Sequence, residues 1–132
     1  MKSTARRLLV ACLLVAATAP GPVSRAHAID SSQTVQALHR SCKSAEGSSP
    51  YDLCLGFIAG VGDAMQLLGF GVEQKPEFAP FAICSRPSYG TMVQAFVDWA
   101  EQNPGKSDSN RIVGVMTALR ANWPCKPHER GG

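Results

Sequence analysis

An all-α fold, a compact four-helix domain stapled by two disulfides after a cleaved signal peptide, follows from three observations on the 132-residue chain. Four stretches carry apolar residues at three- and four-residue spacing, each bounded by capping residues, proline or glycine. No window shows sustained period-two alternation, and no hairpin turn signal is present. The cysteines beyond the first 28 residues number four, an even count.

The N-terminal segment reads as an address. Lys2, Arg6 and Arg7 precede the apolar run from Leu8 to Ala19, which Pro20, Gly21, Pro22 and Ser24 break. Ala26, His27 and Ala28 then offer small residues at −3 and −1 of a cut. The run of twelve residues is short of the roughly 20 that span a bilayer as a helix. Cys12 follows a sequence resembling a lipidation box, but the apolar run continues past it, which places it inside the signal. Residues 1–28 are therefore assigned to a signal peptide, and the mature chain is expected in the periplasm. No later stretch is read as membrane-spanning, so no membrane insertion is expected after processing.

Removing that segment changes the charge argument. Four of the thirteen basic residues lie before residue 29, leaving nine against ten acidic ones, a net charge of −1. A nucleic-acid binder is expected to keep a basic face, so no nucleic-acid partner is expected. The mature 104 residues form one domain of modest core size, where cross-links help.

Cys42, Cys54, Cys84 and Cys125 in an exported domain read most simply as two disulfides. Zinc ligands normally come in C-x(2–4)-C pairs, and the nearest cysteines here are twelve apart. A nucleophilic cysteine needs a free thiol and a nearby base, and the mature chain offers only His39 and His128. No cofactor or metal is expected.

The first helix is predicted from Ser31 or Ser32 to about Cys42, with Val35 and Leu38 apolar. The second opens on Ser49 as N-cap, with Pro50 first in the helix and Asp52 three residues after the cap. It runs to about Leu68 with Leu53, Phe57, Val61, Ala64, Met65 and Leu68 as its stripe, and Gly69 to Gly71 end it. Val72 to Cys84 has two prolines and no regular period. The third helix is capped by Ser88 or Thr91, the latter in a box with Gln94, and buries Met92, Val93, Phe96, Val97 and Ala100. Asn103, Pro104 and Gly105 stop it. The fourth carries Ile112, Val113, Met116, Leu119 and Trp123 on one face and ends before Pro124. Residues 29–125 make the helical domain, and 126–132 a tail expected to be disordered.

This layout favours one of the three possible cysteine pairings. A short turn between helices three and four makes them antiparallel, so Cys84 lies near Cys125. Cys42 ends helix one and faces Cys54, one turn into helix two. Each cross-link is worth on the order of 3–4 kcal/mol in chain entropy.

Gly56, Gly60 and Asp63 share one side of helix two, with Gly62 widening the bare patch. An interior glycine costs roughly 1 kcal/mol relative to alanine, so this stripe is expected to serve close packing. The packing is within the chain on the simpler reading and between subunits on the other.

Cys42, the run Cys54, Gly56, Phe57, Ile58, Gly60, Asp63 and Ala64, then Cys84, Pro87, Pro104, Pro124 and Cys125 together resemble the type VI secretion immunity family of Rap and Tai (resistance-associated and amidase-immunity) proteins. Two features depart from its pattern: one extra residue between Cys84 and Pro87, and a proline-rich, irregular stretch from Gly69 to Ile83. The resemblance implies a small periplasmic helical protein, often dimeric, that occludes a peptidoglycan-degrading, amidase-like secreted effector. For that role the Val72 to Ile83 connection is the candidate recognition element, with Phe78 and Phe81 as anchors and Glu73, Lys75 and Glu77 as polar rim. The bland reading is that both phenylalanines cover the core.

No Ser–His–Asp set, paired carboxylates or phosphate loop appears in the mature chain, so no catalytic residue is assigned. The competing binding roles are an HdeA-like acid-activated periplasmic chaperone, and a family member with no cognate effector.

Overall fold

The computed structural model describes residues 30–126. The expected signal peptide and all but the first residue of the expected tail lie outside them. Four α-helices are present: α1 (Val35–Cys42), α2 (Ser49–Phe70), α3 (Tyr89–Gln102) and α4 (Arg111–Asn122). Each packs against the other three. Among the described residues there is no strand, only two isolated bridges, Thr34 with Asn110 and Ile83 with Pro124.

Local chemistry sets the helix ends. The Thr34 side chain accepts from the amide of Ala37, while the amides of Val35 and Gln36 donate to the carbonyls of Ser109 and Ser107, both at 2.9 Å. Three of the amides that a helix N-terminus leaves unsatisfied are thereby paired. The start of α1 is tied to the loop before α4, where Asn110 caps the amide of Ile112 at 2.8 Å. Ser48, one residue earlier than predicted, caps α2, and Ser88 caps α3. Thr91 caps nothing, and Gln94 instead bonds Asp98 one turn on, at 2.7 Å.

The centre is built from Leu38, Ile58, Met65, Met92, Phe96, Val115 and Leu119, all essentially inaccessible. A smaller cluster of Val72, Ala82 and Cys125, covered by Leu68 and Phe78, lies under the connection between α2 and α3. The disulfides are Cys42–Cys54 and Cys84–Cys125, with Cα separations of 5.2 and 4.9 Å. The first joins the end of α1 to the start of α2. The second fastens the segment before α3 to the segment after α4. At the surface, Glu101 of α3 meets Lys43 at 2.9 Å and His39 at 3.5 Å. The hydrogen bond and charge of Lys43, then those of His39, hold the Glu101 carboxyl below its ordinary value.

Four expectations change. Ser31–Gln33 forms a separate 3-10 turn, and α1 begins only at Val35, capped by Thr34 rather than starting at Ser31 or Ser32. The connection is not wholly irregular, because Pro76–Phe81 forms a 3-10 turn. On α4 the buried side is Gly114, Val115, Ala118 and Leu119, while Ile112 and Val113 are exposed. On α2 the buried side is Cys54, Ile58, Gly62 and Met65; of the predicted stripe only Met65 is buried, while Leu53 and Ala64 are exposed. Both helices are apolar on two sides, so periodicity located a face without identifying the covered one. For the same reason α2 is, by length and composition, long and apolar enough to cross a membrane: 22 residues with a window of mean hydropathy 1.6. Three helices and a disulfide hold its buried side within the domain.

Replacing both Cys84 and Cys125 by serine is expected to lower the unfolding free energy in urea by about 3–4 kcal/mol. An unchanged midpoint would mean that α3 and α4 need no cross-link to stay docked.

Candidate partner-binding surface

With the side of α2 facing α3 and α4 filled, the neighbouring side remains open. Gly56, Phe57, Gly60, Val61, Ala64 and Leu68 run along it and face Ile112 and Met116 of α4, with Phe81 of the 3-10 turn closing one end. The groove holds about 460 Å³ and no charged residue lines it. A second cleft of about 350 Å³ shares Phe81 and Met116 with it and continues past Val113 to Arg120. Leu53, Phe81, Ile112 and Val113 are 56, 53, 44 and 58% exposed. Exposed apolar side chains are ordinary when scattered, whereas a contiguous set marks an interaction surface. Covering a fully exposed leucine, isoleucine or phenylalanine is worth about 1.5–3 kcal/mol. Phe81, Ile112 and Val113, about half exposed along the two clefts, therefore offer a partner a few kcal/mol.

The glycines of α2 divide into two kinds. A Cβ on Gly62 would fall 2.5 Å from the Met92 sulfur, so its absence lets α3 approach. A Cβ on Gly69 would strike the carbonyl oxygen of Ile83, whose amide in turn donates to the Met65 carbonyl at 3.2 Å. Gly56 and Gly60 have nothing within 4 Å of a Cβ. The close intrachain contact expected at these two positions thus falls at Gly62 and Gly69, because α3 and the returning chain sit on the other side of the helix. Gly62 does not widen the bare patch. It is buried.

Asp63 sits beyond the groove edge and accepts from the Tyr89 hydroxyl at 3.1 and 3.2 Å. Tyr89 is the first residue of α3, so this bond ties the middle of α2 to the start of α3 through a side chain. The bond to Asp63, then its negative charge, raises the Tyr89 phenol above its ordinary value of 10.0.

The two candidate anchors part company. Phe78 packs under the connection against Leu68 and Val72, with the Lys75 ammonium 5.5 Å from its ring. Phe81 projects into the groove. Arg120 holds the turn in place through a 2.8 Å bond to the Pro80 carbonyl. Glu73, Lys75 and Glu77 are all exposed along this segment. The α4 residues Ile112 and Met116 were legible as an apolar stripe, but nothing in the sequence assigned them to the surface. Arg111, whose guanidinium lies over the Phe57 ring at the groove, carried no sequence signal. Among the described residues no group of three or more His, Cys, Asp or Glu could hold a metal ion.

A family model described as Rap1a immunity proteins matches residues 34–125. No curated protein and no solved structure matches the chain.

Gly56→Ala and Gly60→Ala are each expected to stabilise the chain by up to about 1 kcal/mol, since alanine is the better helix former and the space is empty. Gly69→Ala is expected to destabilise it, because backbone must move. Urea unfolding of the three variants checks both signs.

In a spectrophotometric titration Tyr89 should ionise above pH 10.0, and Asp63→Asn should return it toward that value. Because the folded value is raised, the contribution of this bond to stability is present below the ordinary phenol range and is lost as pH rises through the raised one.

Proposed function

The chain belongs to the Rap1a immunity protein family, and from that premise we propose that it is a periplasmic immunity protein that binds a secreted peptidoglycan-degrading effector, amidase-like in activity, and blocks its substrate cleft. Residues 1–28 serve as the signal peptide in this reading, and two disulfides suit an oxidising compartment. The chain acts by binding, with no catalytic step of its own.

The groove carries the reading. Two open glycines cost roughly 1 kcal/mol each in helix propensity and gain no contact within the chain. They do leave room beside Phe57, Ile112 and Met116 for a side chain from outside. Phe81 is the anchor presented to the partner, Phe78 supports it from beneath, and Glu73, Lys75 and Glu77 form the rim. Interfaces of this type draw most of their affinity from a few aromatic and apolar anchors within a ring of weaker contacts. A second copy of the chain is the competing occupant of the Gly56 and Gly60 face, and sedimentation of the purified chain alone separates the two.

Oxidised mature protein used as bait in envelope extracts should recover a peptidoglycan-cleaving enzyme and inhibit it. Phe81→Ala should weaken that complex by about 2 kcal/mol or more, and Gly60→Leu should block it by filling the groove. Glu73→Ala and Glu77→Ala should each cost under about 1 kcal/mol, as exposed polar contacts do. Inhibition indifferent to Phe81→Ala and Gly60→Leu would exclude this surface. Capture of many unrelated proteins only at low pH would replace the reading with a chaperone.

A further inference from the structure

At the end of the groove nearest α1 the surface changes character. A pocket of about 460 Å³ opens between α1, the start of α2 and the start of α4, and two guanidinium groups, Arg40 and Arg111, line it. Among the described residues neither lies within ion-pair distance of a carboxylate, the ion pairs found there being those of Glu101. No aspartate or glutamate lines the pocket. The nearby Asp30 carboxylate is turned to the amide of Ser32, at 3.0 Å, where it caps the short turn before α1.

Arg111 is held in place before any ligand arrives. Its guanidinium lies 4.3 Å from the centroid of the Phe57 ring, and one terminal nitrogen donates to the Ser32 carbonyl at 3.3 Å. Its Nε–H is buried and has no partner. A buried donor left unpaired costs about 1–3 kcal/mol, and the terminal nitrogens are the donors of Arg111 that a ligand in the pocket reaches. Ser41 and Ser44 donate their hydroxyls to the carbonyls of Ala37 and Arg40, one turn back. The donors left for a ligand are thus the Arg40 guanidinium, the remaining terminal N–H groups of Arg111 and the hydroxyls of Ser31 and Ser32, beside the apolar Leu38 and Leu53. Planar guanidinium forks pair best with carboxylates, in bidentate geometry.

Phe57 lines the groove and carries Arg111 on its ring, so pocket and groove are one continuous surface. We propose that the Arg40–Arg111 pocket receives an aspartate or glutamate side chain of the protein partner, next to an apolar residue that the same partner seats in the groove. The assignment rests on the reading of the groove as the effector-binding surface, and it adds the chemistry of the matching element: apolar, with an acidic residue beside it. Charge complementarity selects this occupant, since the pocket presents two cations without a counter-charge while the mature chain as a whole carries a net −1.

The test needs no effector. Isotope-labelled, oxidised mature protein is titrated with N-acetyl-Leu-Glu-Leu-amide and with the Leu-Gln-Leu counterpart, and the arginine Nε–H signals are followed by NMR. The glutamate peptide should shift the Arg111 Nε–H saturably and bind about tenfold more tightly than the glutamine peptide. Arg40→Gln, at an exposed position, should remove most of that difference without changing the melting temperature. Arg111→Lys, which keeps the charge and loses the fork, should weaken binding too. Equal affinities for the two peptides, or shifts confined to other sites, would overturn the proposal. Tighter binding of inorganic phosphate than of the glutamate peptide would overturn it as well, making the pocket a general anion site. If the peptides behave as expected while effector inhibition ignores Phe81→Ala and Gly60→Leu, the pocket stands and the effector reading of the groove falls.

Discussion

The length of α2 against that of its partners governs the molecule. At 1.5 Å per residue, its 22 residues extend about 33 Å, whereas the 8, 14 and 12 residues of α1, α3 and α4 reach only about 12, 21 and 18 Å. Three short helices can bury one side of such a rod, and here they bury Cys54, Ile58, Gly62 and Met65. The adjacent side of α2 is also apolar, and among the described residues none covers it. A single helical domain of this size has little material left to cover it. The groove follows from that shortage, with the outer residues of α4 as its second wall.

The covalent and polar ties are placed at the helix ends. Cys42–Cys54 fixes the shortest helix to the start of α2, and the amides at its N-terminus are held by the loop before α4. Cys84–Cys125 closes the opposite end, beside the Ile83 and Pro124 bridge. Arg120 then holds the Pro76–Phe81 turn against α4. Together these ties decide that Phe78 is spent inside the small second cluster and Phe81 stands at the groove. Two phenylalanines three residues apart on a 3-10 turn have separate fates because only one side of the turn meets the protein.

A surface that begins basic at Arg40 and Arg111, turns apolar along α2 and α4, and ends on an aromatic side chain suits recognition of another protein. Its pieces are rigid: an arginine stacked on Phe57, glycines within a helix, a phenylalanine on a pinned turn. Preorganisation of this kind reduces the entropy lost on association. An immunity protein that binds a secreted effector depends on such affinity.

The sequence by itself determined the four helices, most of their boundaries to within a few residues and the two cross-links, because caps, prolines and an even cysteine count act locally or through short turns. Ser88, Pro50 and Asn103 mark boundaries whatever the rest of the chain does, and antiparallel neighbours bring their ends together. Only the tertiary structure decided which apolar face was covered. Leu53, Phe57, Val61, Ala64 and Leu68 recur at helical spacing as well as Cys54, Ile58, Gly62 and Met65 do, and periodicity carries no sign that distinguishes core from groove. The role of each glycine was illegible for the same reason. The cost of a glycine in a helix is visible in sequence, but whether Met92, the Ile83 carbonyl or empty space lies opposite depends on how the other helices dock.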